Sequence, residues 1–518
     1  MDTETLWILK KLAAREITAQ FADRILRGLE LLRKIEEGES VDGSTAEEWA
    51  VPEVAEAAQE TIETTSEDLQ RTDESASEGT AQPGTSDERP LLGDDGIGII
   101  KDIPDGTQLI LEKIGDVTIQ GWDQSYLRAE GRVSSSTVLE AGKSLKIWSE
   151  DDTALYIPSA VKEINIANGS GAIDIRKYPN DIVIDSDIGE INISEANGSI
   201  KIGSFEGDVT LENCRGVASL ESSSGNITVR KTPTAPIVPA GVLESKAEDI
   251  VMVTAVSVEA GSGGVVLADI GGDIDLRTNS GNITLERCSG QNIDVESSGG
   301  DIILRDMTDS MNLRNENGSI VVEGFSGAVS IKSRNTEISL RDSGDAEIHI
   351  DSEDGNINIK DCYADVYIDS VKGNVLISGG DHSSGGMGNV ELRMKVGDAY
   401  LHRRTFGDVH IVIGEGSAEV TMEKLNPGKS GQISVYKGNV TVGVSPDFGC
   451  ELTLLGSREN MRIELPIEIT ERDKSHLRGI LNGGGSKMEV IAPNGAIRFH
   501  SLKSPHIQSN IRNTVNDL

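Results

Sequence analysis

Residues 182–229, written in nines, read IVIDSDIGE INISEANGS IKIGSFEGD VTLENCRGV ASLESSSGN ITV. Each block opens on two apolar residues around one other residue, as in Ile191-Asn192-Ile193 and Val209-Thr210-Leu211. Most blocks close on glycine followed by a polar residue. Alternation of this kind puts both apolar side chains on one face of a short strand. The glycine supplies the turn because it enters positive φ freely, and the Asp, Asn or Ser beside it bonds locally. A strand and a tight turn every nine residues cannot build a hairpin sheet of ordinary strands. Stacked coils can, each pairing in parallel with the coils above and below. The stretch therefore predicts an all-β fold, a parallel β-helix or β-solenoid with a narrow aliphatic interior.

Outward from here the first apolar position recurs at Leu155, Ile164 and Ile173 on one side and runs to Ile227 on the other, always nine apart. After an irregular piece, KTPTAPIVPAGVLESKAEDI, the series resumes at Val256 and continues to Val375. Two of its steps there are ten, and weaker copies reach Val440. Cys214, Cys288 and Cys362 follow similar strands and lie 74 residues apart both times. If the irregular piece holds two units, each interval contains eight. Eight divides by two and not by three, so a coil of two units, about 18 residues, is expected. About 16 such coils would make a stack of roughly 80 Å at the usual strand spacing. The cysteines then share one face, too far apart for disulfides with one another, and read as small buried hydrophobes. Both ends need covers because bare coils expose strand edges. Residues 96–140, with Gly115-Asp116-Val117-Thr118-Ile119, are the expected N-terminal cap. At the other end FGCELTLLGSRENMRIELPIEIT leaves the period before NGAIRF restores it.

The chain of 518 residues carries a formal charge of -38, with 3% aromatics and 57 glycines. Such acidity repels phosphate backbones, so no nucleic-acid partner is expected. Residues 1–36 read as a helical hairpin, with an apolar stripe through Leu6, Leu9 and Leu12 and then Ile25, Leu29 and Leu32. Two helices of this length bury little by themselves. Leu9, Leu12, Ile17, Phe21, Ile25 and Leu29 are therefore the candidate docking or self-association residues. Residues 37–95 form an acidic linker: from 36 to 95 there are 19 Asp/Glu against Arg71 and Arg89. Low hydrophobicity with high like charge predicts disorder. The solenoid is assigned to 96–500 and a polar tail to 501–518. No apolar run is long enough to cross a membrane. Lys10, Lys11 and Arg15 interrupt any secretory core. The expected location is the cytoplasm, with the cell envelope or surface, reached by a non-classical route, as the alternative.

The repeated units SSGNITV, NSGNITL and ENGSIVV, with the ending LRGILNGGGSKMEVIAPNGAIRF, resemble the bacterial "putative adhesin" β-helical domain family over residues about 100 to 500. The N-terminus is similar to the short helical (SHOCT-like) module often joined to such domains. Ile8-Leu9, Leu12, Ile17-Thr18, Ala22 and Ile25-Leu26 match it, whereas Arg15 and Gln20-Phe21 depart from it. Relatives with this layout include envelope-stress proteins of the cell-wall antibiotic response. The resemblance implies an envelope-linked regulatory or scaffold role.

Constellations that would carry chemistry are missing from the sequence. The histidines (His349, His382, His402, His410, His476, His500, His506) show no HExxH spacing, although His402 and His410 sit one repeat apart and could share a face. No cysteine pair has CxxC spacing, and no nucleophile elbow or phosphate loop occurs. Gly271-Gly272-Asp273 comes nearest to a calcium-binding nonapeptide but places its aspartate too early. No cofactor or metal is expected. The sequence points to a non-enzymatic scaffold or sensor joined to a protein partner, or to another copy, through the N-terminal helices. The alternative is a carbohydrate-active enzyme or a glycan-binding, adhesive rod, since β-helices also house such proteins.

Overall fold

The computed structural model describes residues 89–90, 97–101, 103–113, 115–131, 134–136, 144–149, 151–231, 253–344, 347–379, 388–403 and 405–502. All belong to the compact unit Ser86–Leu518. The helical hairpin at 1–36, with its six candidate docking residues, lies outside the described residues. So does the linker, except for Arg89 and Pro90, which pair antiparallel with Ser135 and Ser134.

The unit is a β-solenoid of two parallel sheets. In sheet I, Ile173 stands beside Ile191, Ile191 beside Val209, and Val209 beside Ile227. In sheet II, Ile182 stands beside Ile200 and Ile200 beside Ala218. Each coil therefore takes two nine-residue units, as the cysteine spacing predicts. The two ten-residue steps widen single coils, so that Ile283 faces Ile302 and Ile338 faces Ile357. Alternate residues of each strand point inward and form ladders. Ile173, Ile191, Val209 and Ile227 are all completely buried, each contributing about 2 kcal/mol by area removed from water.

The irregular piece is not two further units. Ile227 pairs directly with Val265, and Ala218 with Val256, so residues 227–265 span one coil. Three coils, not four, separate Cys214 from Cys288, while four separate Cys288 from Cys362. Composition could not show this, because an insertion between two strands and two poor units have the same length.

Two kinds of corner join the sheets. After sheet II comes a column of glycines, among them Gly189, Gly207 and Gly225, with φ of 141, 134 and 130°. A Cβ on Gly207 would overlap the carbonyl oxygen of Gly189, and one on Gly225 that of Gly207. Positive φ and the absence of space both demand glycine here. The residue after each glycine bonds the next coil: Asp208 Oδ1 accepts from the Asn226 backbone N–H at 2.7 Å, and Asn226 Oδ1 from Gly264 N–H at 3.0 Å. Thr336 interrupts the column. There the strands Met311–Phe325 and Val329–Ser343 run through the corner, pairing Gly318 with Thr336.

After sheet I the chain turns through a left-handed residue that is seldom glycine: Lys177, Glu195, Asn213, Asp269, Arg287, Asp306, Asp342 and Asp361 have φ of 51 to 58°. Such a conformation costs about 1–2 kcal/mol without glycine. Hydrogen bonds such as Glu195 N–H to Glu212 O, 2.9 Å, offset it. The turn drives the next side chain inward, where Tyr178, Ala196, Cys214, Ile270, Cys288, Met307, Phe325 and Cys362 line up, all buried.

At both ends stack order departs from chain order. The coil of Thr107–Lys113 and Val117–Trp122 lies between the strands Ser144–Ser149 and Thr153–Pro158 on one side and Val161–Asn168 and Ile173–Arg176 on the other, because Val117 pairs with both Thr153 and Ile173 and Leu109 with both Leu145 and Ile164. Gly115–Ile119 is thus part of an inner coil and not of a cap. At the other end Ile497 lies between Val440 and Met461. Antiparallel strands then close the edges: Ile97–Ile100 with Leu127–Glu130 at one end, and His476–Leu481 with Ile467–Arg472 at the other. The last strand carries Glu468, Glu471, Arg472 and a bulge, features that discourage edge-to-edge pairing.

Substituting Gly207→Ala should lower the melting temperature strongly, through a loss of about 3 kcal/mol from overlap and backbone strain. Gly106→Ala, where φ is 85° but no atom lies within 4 Å of the added carbon, should cost only about 1 kcal/mol. Equal effects in circular dichroism melts would mean that the corner does not limit packing.

Candidate functional site

Outward-facing positions form columns that climb the stack. On sheet I, Arg230 Nε lies 2.8 Å from Glu212 Oε1. Arg305 lies 3.2 Å from Glu286 and 3.7 Å from Glu323, which also meets Arg341 at 2.8 Å. Arg287 Nε is 2.7 Å from Asp269 and holds that carboxyl below its usual range. These pairs are half exposed, so each contributes at most about 1 kcal/mol. Corner carboxylates are engaged likewise. Asp181 and Asp273 accept backbone N–H groups of Ser199 and Asn292 at 2.8 and 3.1 Å. Asp273, the aspartate nearest to a calcium loop, therefore serves coil stacking. Among the described residues no group of three or more His, Cys, Asp or Glu is arranged to hold a metal ion.

The histidines do not assemble. His402 lies on sheet I and His410 on sheet II, so they do not share a face. Alternation over an odd number of nine-residue units switches sheets, which the two-unit coil requires. His402 Nδ1 is 2.9 Å from Thr421 Oγ1, and burial lowers its pKa. His349 stacks on Tyr367, 4.7 Å between ring centroids, beside Glu347 at 2.9 Å. His476 sits between Glu471 and Asp473, at 3.1 and 2.7 Å. His382 and His506 fall outside the described residues.

One outward surface is built differently. Tyr156, on the strand Thr153–Pro158, stands between Gln120 and Arg128 of its two neighbours, and Arg128 stands in turn beside Ile99. Trp122, at the end of the strand beside it, has ring centroids 5.2 Å from Tyr156 and 4.9 Å from Tyr126. Its indole N–H donates to Tyr126 O at 2.9 Å. The Arg128 guanidinium lies 5.5 Å from the Tyr156 ring centroid and pairs with Glu130. Ile99 is 49% exposed. The result is a half-open row of isoleucine, arginine, tyrosine and tryptophan, residue types that carry binding energy when a partner excludes water. Sequence reasoning missed it. The available signal was that Trp122, Tyr126, Trp148 and Tyr156 fall within 35 residues of a chain with 3% aromatics.

A family model described as Toastrack DUF4097 matches residues 220–377. That segment takes in coils on both sides of the irregular piece, and the match carries the repeat fold but not the adhesin label or the helical module. The chain matches no curated protein and no solved structure.

All four cysteines are free and buried. Burial pushes the Cys288 thiol up to about 11 and that of Cys450 up to about 12, against about 8.5 for an exposed thiol. Neutral thiols of this kind are poor nucleophiles. The native chain should react slowly with a thiol reagent and release its four cysteines only on unfolding. Raised folded pKa values also fix the sign of a pH effect. The stability they support is complete below about pH 8.5 and should fall as pH rises from there towards 11 or 12. Replacing Cys288 and Cys450 by Ala or Val should flatten that decline in denaturant melts.

Proposed function

We propose that the chain is a non-enzymatic scaffold or interaction protein, whose solenoid holds the Ile99–Arg128–Tyr156–Trp122 face rigid while residues 1–36 dock or self-associate. One observation carries this reading. Corner groups such as Asp181, Asp208 and Asn226, and sheet charges such as Arg305 and Glu323, are taken up in coil-to-coil bonds, whereas the aromatic–arginine row keeps open area. The Toastrack match supports a β-solenoid scaffold. An envelope-stress role is the finer form of the same reading and rests on the resemblance of the N-terminal segment.

Removing residues 1–36 should abolish self-association in light scattering and leave the β signal of the solenoid intact. Assembly that persists in the shortened chain would refute the docking role. Trp122→Ala with Tyr156→Ala should leave the fold unchanged and weaken partner binding at this face by at least tenfold. A panel of polysaccharides, scored for binding and for cleavage, tests the carbohydrate alternative. Cleavage by the intact chain would overturn the non-enzymatic reading.

A further inference from the structure

The left-handed corner column changes character near the C-terminal third of the stack. Asp361, Gly379 and Arg403 occupy equivalent places on three successive coils, since Lys360 pairs with Ser378 and Ser378 with His402. A Cβ on Gly379 would run into the Asp361 carboxylate, so the middle coil puts no side chain of its own between its neighbours. The corner is also wider here. Thr405–Phe406 and Lys424–Leu425 add a two-residue parallel pair, and Phe406 is completely buried.

Arg403 lies inside this widened corner. The residue is only 5% exposed, with the Phe406 ring centroid 6.0 Å from its guanidinium carbon. Nε, Nη1 and Nη2 are all buried, and among the described residues none has a hydrogen-bond partner. The groups near enough to act on its charge are the Cys362 thiol, Asp361 and Tyr363. Asp361 and Tyr363 have interactions of their own. Burial pushes the guanidinium down to about 10, so it remains charged at neutral pH. A fork of three nitrogens left without acceptors is far outside the habit of folded proteins, in which buried polar groups are almost always bonded. Arg287, Arg305 and Arg341 illustrate the contrast, each lying within reach of a carboxylate on a neighbouring coil.

We propose that Arg403 anchors an oxyanion site, in which a carboxylate or phosphate group accepts hydrogen bonds from the guanidinium fork at the widened corner. Guanidinium geometry matches both groups in a bidentate manner, and low surrounding polarity strengthens the bond. Phe406 packs against the fork and limits its freedom. The site is distinct from the aromatic row, which lies at the opposite end of the stack, and it does not depend on the scaffold reading.

The test is isothermal titration of the full chain with inorganic phosphate and, separately, with acetate, at constant ionic strength set by chloride. Saturable binding of either at or below about 1 mM is expected, with at least tenfold loss in Arg403→Met and a smaller loss in Arg403→Lys, which keeps the charge but not the fork. A response to phosphate alone would identify a phosphate-bearing ligand, and one to acetate a carboxylate-bearing ligand. Equal binding by the native chain and Arg403→Lys would overturn the fork. No saturable binding of either ion to the native chain would overturn the site, whether or not Arg403→Met folds.

Discussion

Backbone meets backbone at the glycine corner, and the rest of the solenoid follows from that approach. The amide of Gly189 sits where a methyl group on Gly207 would have to go, and the same holds one coil further at Gly225. Tight stacking at this edge brings the Asp, Asn or Ser that follows within reach of the next coil's N–H. It also keeps the interior thin between the two sheets, where Ile, Val and Leu fill the space. At the opposite corner, where a left-handed residue turns the next side chain inward, large rings such as Tyr178 and Phe325 find room. The aromatic poverty of the chain and its glycine content are thus two readings of one steric limit.

Much of this was legible in residues 182–229, since a period of nine fixes alternation, turn chemistry and, with the cysteine spacing, two units per coil. The cysteines share a column as their surroundings implied. Three features escaped for identifiable reasons. Periodicity records which residues resemble one another but not which strand lies beside which, so it could not reveal that Val117–Trp122 and Ile497–Ser501 are inserted between other coils. The left-handed column was hidden because Lys, Glu, Asn, Asp and Arg all occupy it, and no composition marks it. Arg403 gave no signal, being one arginine among many until its burial, and its lack of acceptors among the described residues, are seen.

Regularity also shapes what the surface can do. Many corner carboxylates and sheet charges are engaged between neighbouring coils, and the two surfaces singled out above lie where the repeat is broken. The aromatic row appears at the end where antiparallel strands replace coils. The buried Arg403 guanidinium appears where the left-handed corner widens. Thr336, which breaks the glycine column, borders a shallow recess with Gly318, Asn335, Glu337, Asp354 and Gly355. Irregular places in a repeat fold are where it is free to be chemically particular.

The exchanged order of the terminal coils has a bearing on how such a chain can change length. A coil that is first or last in the sequence is gripped on both faces, by a neighbour made earlier or later in the chain. Adding a unit to either terminus would disturb three coils and a cap together. Duplicating a coil in the middle, where Ile173, Ile191 and Val209 follow one another in simple succession, disturbs nothing beyond the junction. A lineage built on this plan should therefore vary in its middle and keep its ends, growing as a bookshelf does when volumes are added between fixed bookends.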